Sequence, residues 1–332
     1  MKQLDSPEIR PFSKDSLKLD AEKEIERITG ALTETVHHQM RRQGAVVGIS
    51  GGIDSAVALA LCARAFGSQR VVGILLPEKE SSPESADLAH ELAECYEVEA
   101  ITEEITAALD GFGCYARRDE AIKRVFPQFA PGWGVKIVLP SDLLSRGTLN
   151  VFQLVVTSPQ GEEFRQRLPL REYFQIVASS NFKQRTRTTL LYYHAELRNY
   201  AVIGTPNKNE HDLGFFVKGG DGLYDFAPIR HLFKTQVYQL AEALGVPASI
   251  RSRPPTTDTY PGGGTQEEFF YRIPFETLDV IWHGYERNIP VEDIARTLDL
   301  TTEQVTHVTE DIARKEMTTA YLREAPKGLG AV

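Results

Sequence analysis

Cysteine, methionine and tryptophan are scarce: 3, 3 and 2 in 332 residues. Cys62, Cys95 and Cys114 stand far apart. They have neither the paired spacing of a zinc site nor the even count of a disulfide framework, which suits a reducing cytoplasm. Cys62 and Cys95 fall within helical periodicity and read as buried packing residues. Cys114, in Gly111-Phe112-Gly113-Cys114-Tyr115, reads as the one open to solvent. No Cys-His pattern marks it as a nucleophile. No apolar run reaches the length of a membrane span, and MKQLDSPEIRPFSKD lacks the form of a signal peptide. Positive charge is in deficit, 37 Lys and Arg against 46 Asp and Glu, a net −9 that argues against a nucleic-acid-coating surface. There is no internal repeat, no low-complexity tract and no G-x-x-x-x-G-K-[ST] phosphate loop.

With 42% hydrophobic and 25% charged residues, the chain has the composition of an ordinary globular protein. Its length suits one elaborated domain or a domain with an appendage. Residues 1–15 are polar and read as a loose arm, and residues 17–43 carry helical periodicity. Strands and helices then alternate: strand 45–49, helix 55–66, strand 71–76, helix 83–96, strand 97–102. Such alternation predicts an α/β fold, a Rossmann-like parallel sheet with helices on both faces. Residues 112–178 break the rhythm. Val135 to Leu139 reads as a strand, and 150–157 and 162–170 flank the turn Ser158-Pro159-Gln160-Gly161. This stretch therefore reads as an inserted subdomain with a β-hairpin. A helix over 183–199, a buried strand at 200–203, a glycine-rich charged loop over 204–230 and a helix over 233–244 follow. Residues 254–265 read as irregular and the tail as helical. Within the tail, 298–311 resembles a small helix-turn-helix, taken as packing because the chain is acidic. The domains are then 16–111 with 179–290, an insertion at 112–178 and a helical appendage at 291–332.

The most informative segment is Gly48-Ile49-Ser50-Gly51-Gly52-Ile53-Asp54-Ser55, between an apolar strand and an apolar helix. A small-residue turn there aims free backbone N–H groups and the positive helix end at an anion. An acid beside such a cradle makes sense with a divalent cation between them. A second segment also follows a strand: Gly204-Thr205-Pro206-Asn207-Lys208-Asn209-Glu210, Gly214-Phe215-Phe216-Val217-Lys218, then Gly220-Asp221-Gly222 and Asp225. Both belong at the carboxyl edge of the sheet, where ligands bind in such folds.

The first segment resembles the SGGxDS loop of the N-type ATP pyrophosphatases, and the second resembles the GFFTKYGDGG loop of the NAD synthetase family within them. His231-Leu232-Phe233-Lys234-Thr235-Gln236, Pro255-Thr256-Thr257-Asp258, Asn181-Phe182-Lys183-Gln184-Arg185-Thr186-Arg187 and Leu278-Asp279 are similar to further elements of that family. The likeness covers roughly 18–110 and 179–290. It departs at Leu213, at Gly219 and over residues 75–85, where Pro77-Glu78-Lys79-Glu80 replaces an Arg-x-Pro-Tyr element.

The resemblance implies ATP and Mg²⁺, with nicotinic acid adenine dinucleotide and ammonia as co-substrates. Gly48, Ser50, Gly51, Gly52 and Ser55 would cradle the phosphates, and Asp54 and Glu210 would hold the metal. Lys234 would neutralise phosphate charge, Thr256 would touch the phosphoryl groups or AMP, and Thr205 would sit near the ribose. Arg185 would lie near the adenine or the other substrate. Asn181, Phe215, Lys218 and Asp225 would meet the dinucleotide, with Phe215 either stacking or packing. Asp221 or Asp225 would accept the proton from ammonium. A fused amidase domain has no room, which implies free ammonia or a separate glutaminase subunit. The family also implies a homodimer. Two rivals remain: a ligase acting on a different carboxylate, and a nucleotide binder without catalysis.

Overall fold

The computed structural model describes residues 12–139, 143–144, 151–256 and 265–329. Among them are seven strands: β1 (Ala45–Gly48), β2 (Val71–Leu75), β3 (Glu99–Thr102), β4 (Gly134–Val138), β5 (Gln153–Thr157), β6 (Glu163–Arg167) and β7 (Ala201–Ile203). The helices are α1 (Ala21–Thr33), α2 (Ile53–Phe66), α3 (Pro83–Cys95), α4 (Thr106–Gly111), α5 (Cys114–Val125), α6 (Leu170–Arg198), α7 (Lys208–Leu213), α8 (Lys234–Leu244), α9 (Ala248–Arg251), α10 (Phe275–Glu286), α11 (Val291–Leu298) and α12 (Thr302–Arg323).

β1 is apolar on both sides of its pleat, as a central parallel strand must be. It pairs in parallel with β2 and β7, giving the order β3-β2-β1-β7 with Ala45 opposite both Val71 and Ala201. Alternate residues serve opposite faces. Ala45, Val47, Val71 and Ala201 share a buried cluster with Ile25 of α1, Leu59 of α2, Leu92 of α3 and Leu240 of α8. Val46, Val72, Ile74 and Val202 pack with Leu109 of α4, Tyr115 of α5 and Ala195 of α6. The expected α/β sheet with helices on both faces is therefore present.

A second sheet, antiparallel and ordered β4-β5-β6, occupies the middle of the chain. Leu154 and Val156 of β5 and Ile137 of β4 bury their side chains with Ile122 and Phe126 from α5 and its end and Ile176 of α6. The expected hairpin across residues 158–161 is thus two strands of a three-stranded meander. Its buried face is covered by helices that also touch the parallel sheet.

Several local expectations are corrected. The helix expected at 183–199 starts at Leu170, directly after Pro169, and runs 29 residues to Asn199, whose φ of 55° stops it. The helix expected across 17–43 is α1 followed by a wider π-turn at residues 34–39. The arm is not loose throughout: Phe12 stacks on His283 with ring centroids 6.4 Å apart. Residues 1–11 lie outside the described residues. The loop at 204–230 contains α7. Cys95 is exposed at the end of α3, whereas Cys114 is buried, its thiol donating to the Ser179 carbonyl at 3.2 Å. Burial pushes that thiol up to about 11, so it stays protonated and unreactive at neutral pH. Cys62 is buried, as expected.

Candidate active site

A cleft of about 950 Å³ opens at the carboxyl ends of β1, β2 and β7. That is near the top of the range for small-molecule sites. Its floor is the turn between β1 and α2. The backbone N–H of Ser50 donates to Ser55 Oγ at 3.3 Å, and Ser55 Oγ donates back to the Gly52 carbonyl at 2.9 Å. Gly52 caps α2 without a side-chain bond, so the first-turn N–H groups keep their donor capacity for a ligand. Gly51 has a φ of +73°, and a Cβ there would come within 2.6 Å of the Ser85 carbonyl. It is buried and does not line the cleft: its glycine lets α3 close on the turn.

The charged centre joins three loops. Asp54, in the first turn of α2, accepts from Asn207 Nδ2 at 2.9 Å and forms a short ion pair with Lys234 at the start of α8. Asn207 and Glu210 form a reciprocal capping box on α7, which brings Glu210 to the same wall. Lys234 is fully buried. Burial alone would lower its pKa, but Asp54 and Glu210 more than offset this and hold it above the ordinary value. Burial first, and then the charge of Asp54, push the Glu210 carboxyl up to about 8. With Glu210 mostly protonated at neutral pH, Asp54 balances the ammonium, and a divalent cation would displace the Glu210 proton and draw it in as a second carboxylate. Among the described residues no group of three or more His, Cys, Asp or Glu side chains could hold a metal by itself. A pair of carboxylates completed by substrate phosphates is the pattern that suits Mg²⁺.

Behind this centre runs a fully bonded polar chain. Asn209 Oδ1 accepts from the Lys234 N–H at 2.9 Å, and Asn209 Nδ2 donates to Asp279 Oδ1 at 2.6 Å. Asp279 Oδ2 accepts from the N–H and the hydroxyl of Thr235 at 2.9 and 2.8 Å. Asn207, Asn209 and Asp279 are inaccessible to solvent, so α7, α8 and α10 are locked in one register around Lys234.

Of the other residues singled out in the sequence, Gly48, Asn181, Arg185, Thr205, Phe215, Lys218, Asp221 and Thr256 line the same cleft. Thr256 bridges to Thr265, whereas Thr257 and Asp258 lie outside the described residues. Phe215 packs against Phe270 with centroids 4.7 Å apart. Asp221 accepts from the Val217 N–H at 2.8 Å and shapes its own loop. Asp225 does not line the cleft. It accepts from the Val202 N–H at 2.8 Å and the Tyr192 hydroxyl at 3.2 Å, finishing the edge of the sheet beyond β7.

A family model described as NAD synthase matches residues 24–124 and 152–323. The chain belongs to the NAD synthase family. An NH(3)-dependent NAD(+) synthetase of Rhizobium rhizogenes is 47% identical over 95% of this chain and 95% of its own. One of Thermotoga neapolitana is 38% identical over 76% of this chain and 80% of its own. The fold is similar to that of a solved NH3-dependent NAD synthetase from Campylobacter jejuni, with a TM-score of 0.61, 24% identity, and coverage of 94% and 100%. It is also similar to an NMN synthetase structure from Francisella tularensis, with a TM-score of 0.58, 21% identity, and coverage of 95% and 100%. The NAD synthase match runs through α11 and α12 and passes over residues 125–151, which include β4.

Sequence reasoning missed part of this site. The tail, read as packing, gives the cleft Lys315, Thr319, Tyr321 and Leu322. Nothing in its composition marks it: α12 is an ordinary capped amphipathic helix. Arg187 and Arg253 also line the cleft, donating to the Leu76 carbonyl at 3.2 Å and to Ser85 Oγ at 2.9 Å. Arg187 stood in the quoted helix motif, so a signal existed for it.

Proposed function

We propose that the chain amidates nicotinic acid adenine dinucleotide to NAD with ATP and ammonia, releasing AMP and pyrophosphate. The observation that carries this reading is the meeting of Asp54, Glu210 and Lys234 above an uncapped helix N-terminus in one cleft. Family membership and a 47% identical relative named NH(3)-dependent NAD(+) synthetase support the choice of acceptor.

The nicotinate carboxylate attacks the α-phosphorus of ATP, pyrophosphate leaves, and ammonia displaces AMP from the acyl adenylate. Ser50, Ser55 and the first N–H groups of α2 hold phosphate oxygens, and Lys234 balances charge on the departing pyrophosphate. Asp54 and Glu210 would hold Mg²⁺, which when bound neutralises phosphate charge. Asp221 borders the cleft and is placed better than Asp225 to take the proton that ammonium must lose. Ammonia comes free or from a separate glutaminase. The expected homodimer finds support in exposed apolar side chains on α6, namely Leu170, Phe174, Tyr193 and Leu197. A cytoplasmic setting agrees with three free cysteines.

The test is pyrophosphate release from ATP with Mg²⁺ and ammonium, with NAD followed in the same tube. Nicotinic acid adenine dinucleotide and nicotinic acid mononucleotide are offered separately. One NAD per pyrophosphate with the dinucleotide establishes the reading. Amide formed only from the mononucleotide, or from neither, moves the activity to another carboxylate.

A further inference from the structure

Residues 75–85, which lie within the family match, are anchored by buried charges. Glu78 accepts from Lys183 Nζ at 2.8 Å, from the Tyr115 hydroxyl at 2.6 Å and from the Glu80 N–H at 2.9 Å. Glu80 accepts from Lys183 at 2.7 Å and takes both terminal nitrogens of Arg118, at 2.6 and 2.8 Å. Lys183, Arg118, Glu78 and Tyr115 are each at most 4% exposed. Arg118 also donates to Asp119 Oδ1 from Nε at 2.9 Å and Nη2 at 2.8 Å, so two cations face three anions in a hydrogen-bonded arrangement of the kind that repays the desolvation of buried ions. Burial pushes the Glu80 carboxyl up, and Arg118 and Lys183 outweigh it, so the group stays charged.

None of the Glu78, Glu80, Lys183, Arg118 and Tyr115 side chains lines the cleft, yet the first three sit between residues that do. Glu78 and Glu80 lie between Pro77 and Ser81, which face the cleft. Lys183 lies between Asn181 and Gln184, which also face it. Tyr115 and Arg118 come from α5, the helix that covers the antiparallel sheet. The β2–α3 connection would otherwise be an ordinary loop, of the kind that is usually mobile.

We propose that Glu78, Glu80, Lys183, Arg118 and Tyr115 are positioning residues through which α5 fixes the residue 77–85 wall of the cleft against ATP. This deepens the function above and rests on ATP occupying that wall. α5 thereby acts on the nucleotide without lining its cleft. Arg118 sets Glu80, Glu80 and Glu78 set the loop, and Lys183 joins the loop to α6.

The test is steady-state NAD formation together with calorimetric binding of α,β-methylene-ATP, on wild type, Arg118→Met, Arg118→Lys and Tyr115→Phe. Arg118→Met is expected to raise KM for ATP and Kd for the analogue by about tenfold, with kcat within about threefold and KM for ammonium unchanged. Arg118→Lys recovers part of the loss, and Tyr115→Phe, which removes a single donor, shifts the same two constants by about threefold. Wild-type constants in Arg118→Met overturn the proposal, as does a fall in kcat with no change in KM for ATP. If Arg118→Met does not fold, Tyr115→Phe decides, and an unchanged ATP constant there is equally fatal. A wild type that makes no NAD refutes the acceptor, whereas the analogue affinities still decide the positioning network.

Discussion

Lys218 Nζ lies 2.8 Å from the main-chain oxygen of Tyr321 and 3.2 Å from that of Glu324. A lysine ammonium thus closes the last turn of α12, where the helix leaves carbonyls unpaired and its dipole favours a cation. The carbonyl of the same Lys218 accepts from Arg185 Nε and Nη2 at 3.3 Å. One residue therefore joins α6, the residue 214–222 loop and the tail. Lys218→Ala is expected to speed amide exchange in residues 317–324 and to raise substrate KM about fivefold, with a smaller effect on kcat. Lys218→Arg keeps the carbonyl contacts and most of the affinity. Exchange measured by mass spectrometry checks the first expectation, since an untethered tail has no reason to respond.

Gly214 holds a φ of +76°, and a Cβ there would stand 2.3 Å from Thr319 Cβ. Gly214→Ala combines left-handed strain with a clash, so about 2–3 kcal/mol of stability should be lost. Adding Thr319→Gly removes the clash and leaves the strain. Urea unfolding of the double variant should therefore show a partial recovery beyond additivity.

Asp54→Asn keeps the shape of the α2 first turn and removes the charge paired with Lys234. Pyrophosphate release should fall at least about 100-fold, a loss typical of removing transition-state charge stabilisation. Far-UV circular dichroism should be unchanged, because Glu210 still faces the ammonium. Full turnover by this variant would refute the metal and phosphate assignment.

Asp279 is buried, and desolvation pushes it from an ordinary 3.8 up to about 6, against the pull of its bonds to Asn209 and Thr235. A raised carboxyl pKa means that the folded state holds the proton more tightly than the unfolded chain. Its contribution to stability is therefore largest below about pH 4, declines as pH rises to about 6, and is flat above that. Folding at pH 5 should take up close to one proton at this site. Comparing calorimetric proton uptake of wild type and Asp279→Asn measures it. The asparagine cannot serve Asn209 and Thr235 as a double acceptor, so it should also destabilise α8.

The site was most legible where one short segment carries both the backbone geometry and the chemistry. Ser50 to Ser55 could be read because a strand, a turn of small residues and a helix start follow directly in sequence. Asn207 and Glu210 stood in a quoted motif, but their partnership with Asp54 crosses about 150 residues and needs the parallel pairing of β1 and β7 to exist. Asp225 was a candidate acid for the reaction through the family resemblance of its loop. Only the fold shows its carboxylate spent on the Val202 N–H.

The amino-acid sequence by itself determined the alternation that makes a parallel sheet, the small-residue turn between β1 and α2, and the family. Each of these rests on local periodicity or on the chemistry of neighbouring residues. Tertiary structure decided that α12 walls the cleft and that Cys114 is buried while Cys95 is not. It also decided that Glu78, Glu80, Lys183 and Arg118 neutralise one another. A buried charge is tolerable only with its partner in place, and partners from α5, α6 and the β2–α3 loop meet only once the sheet has set those elements side by side.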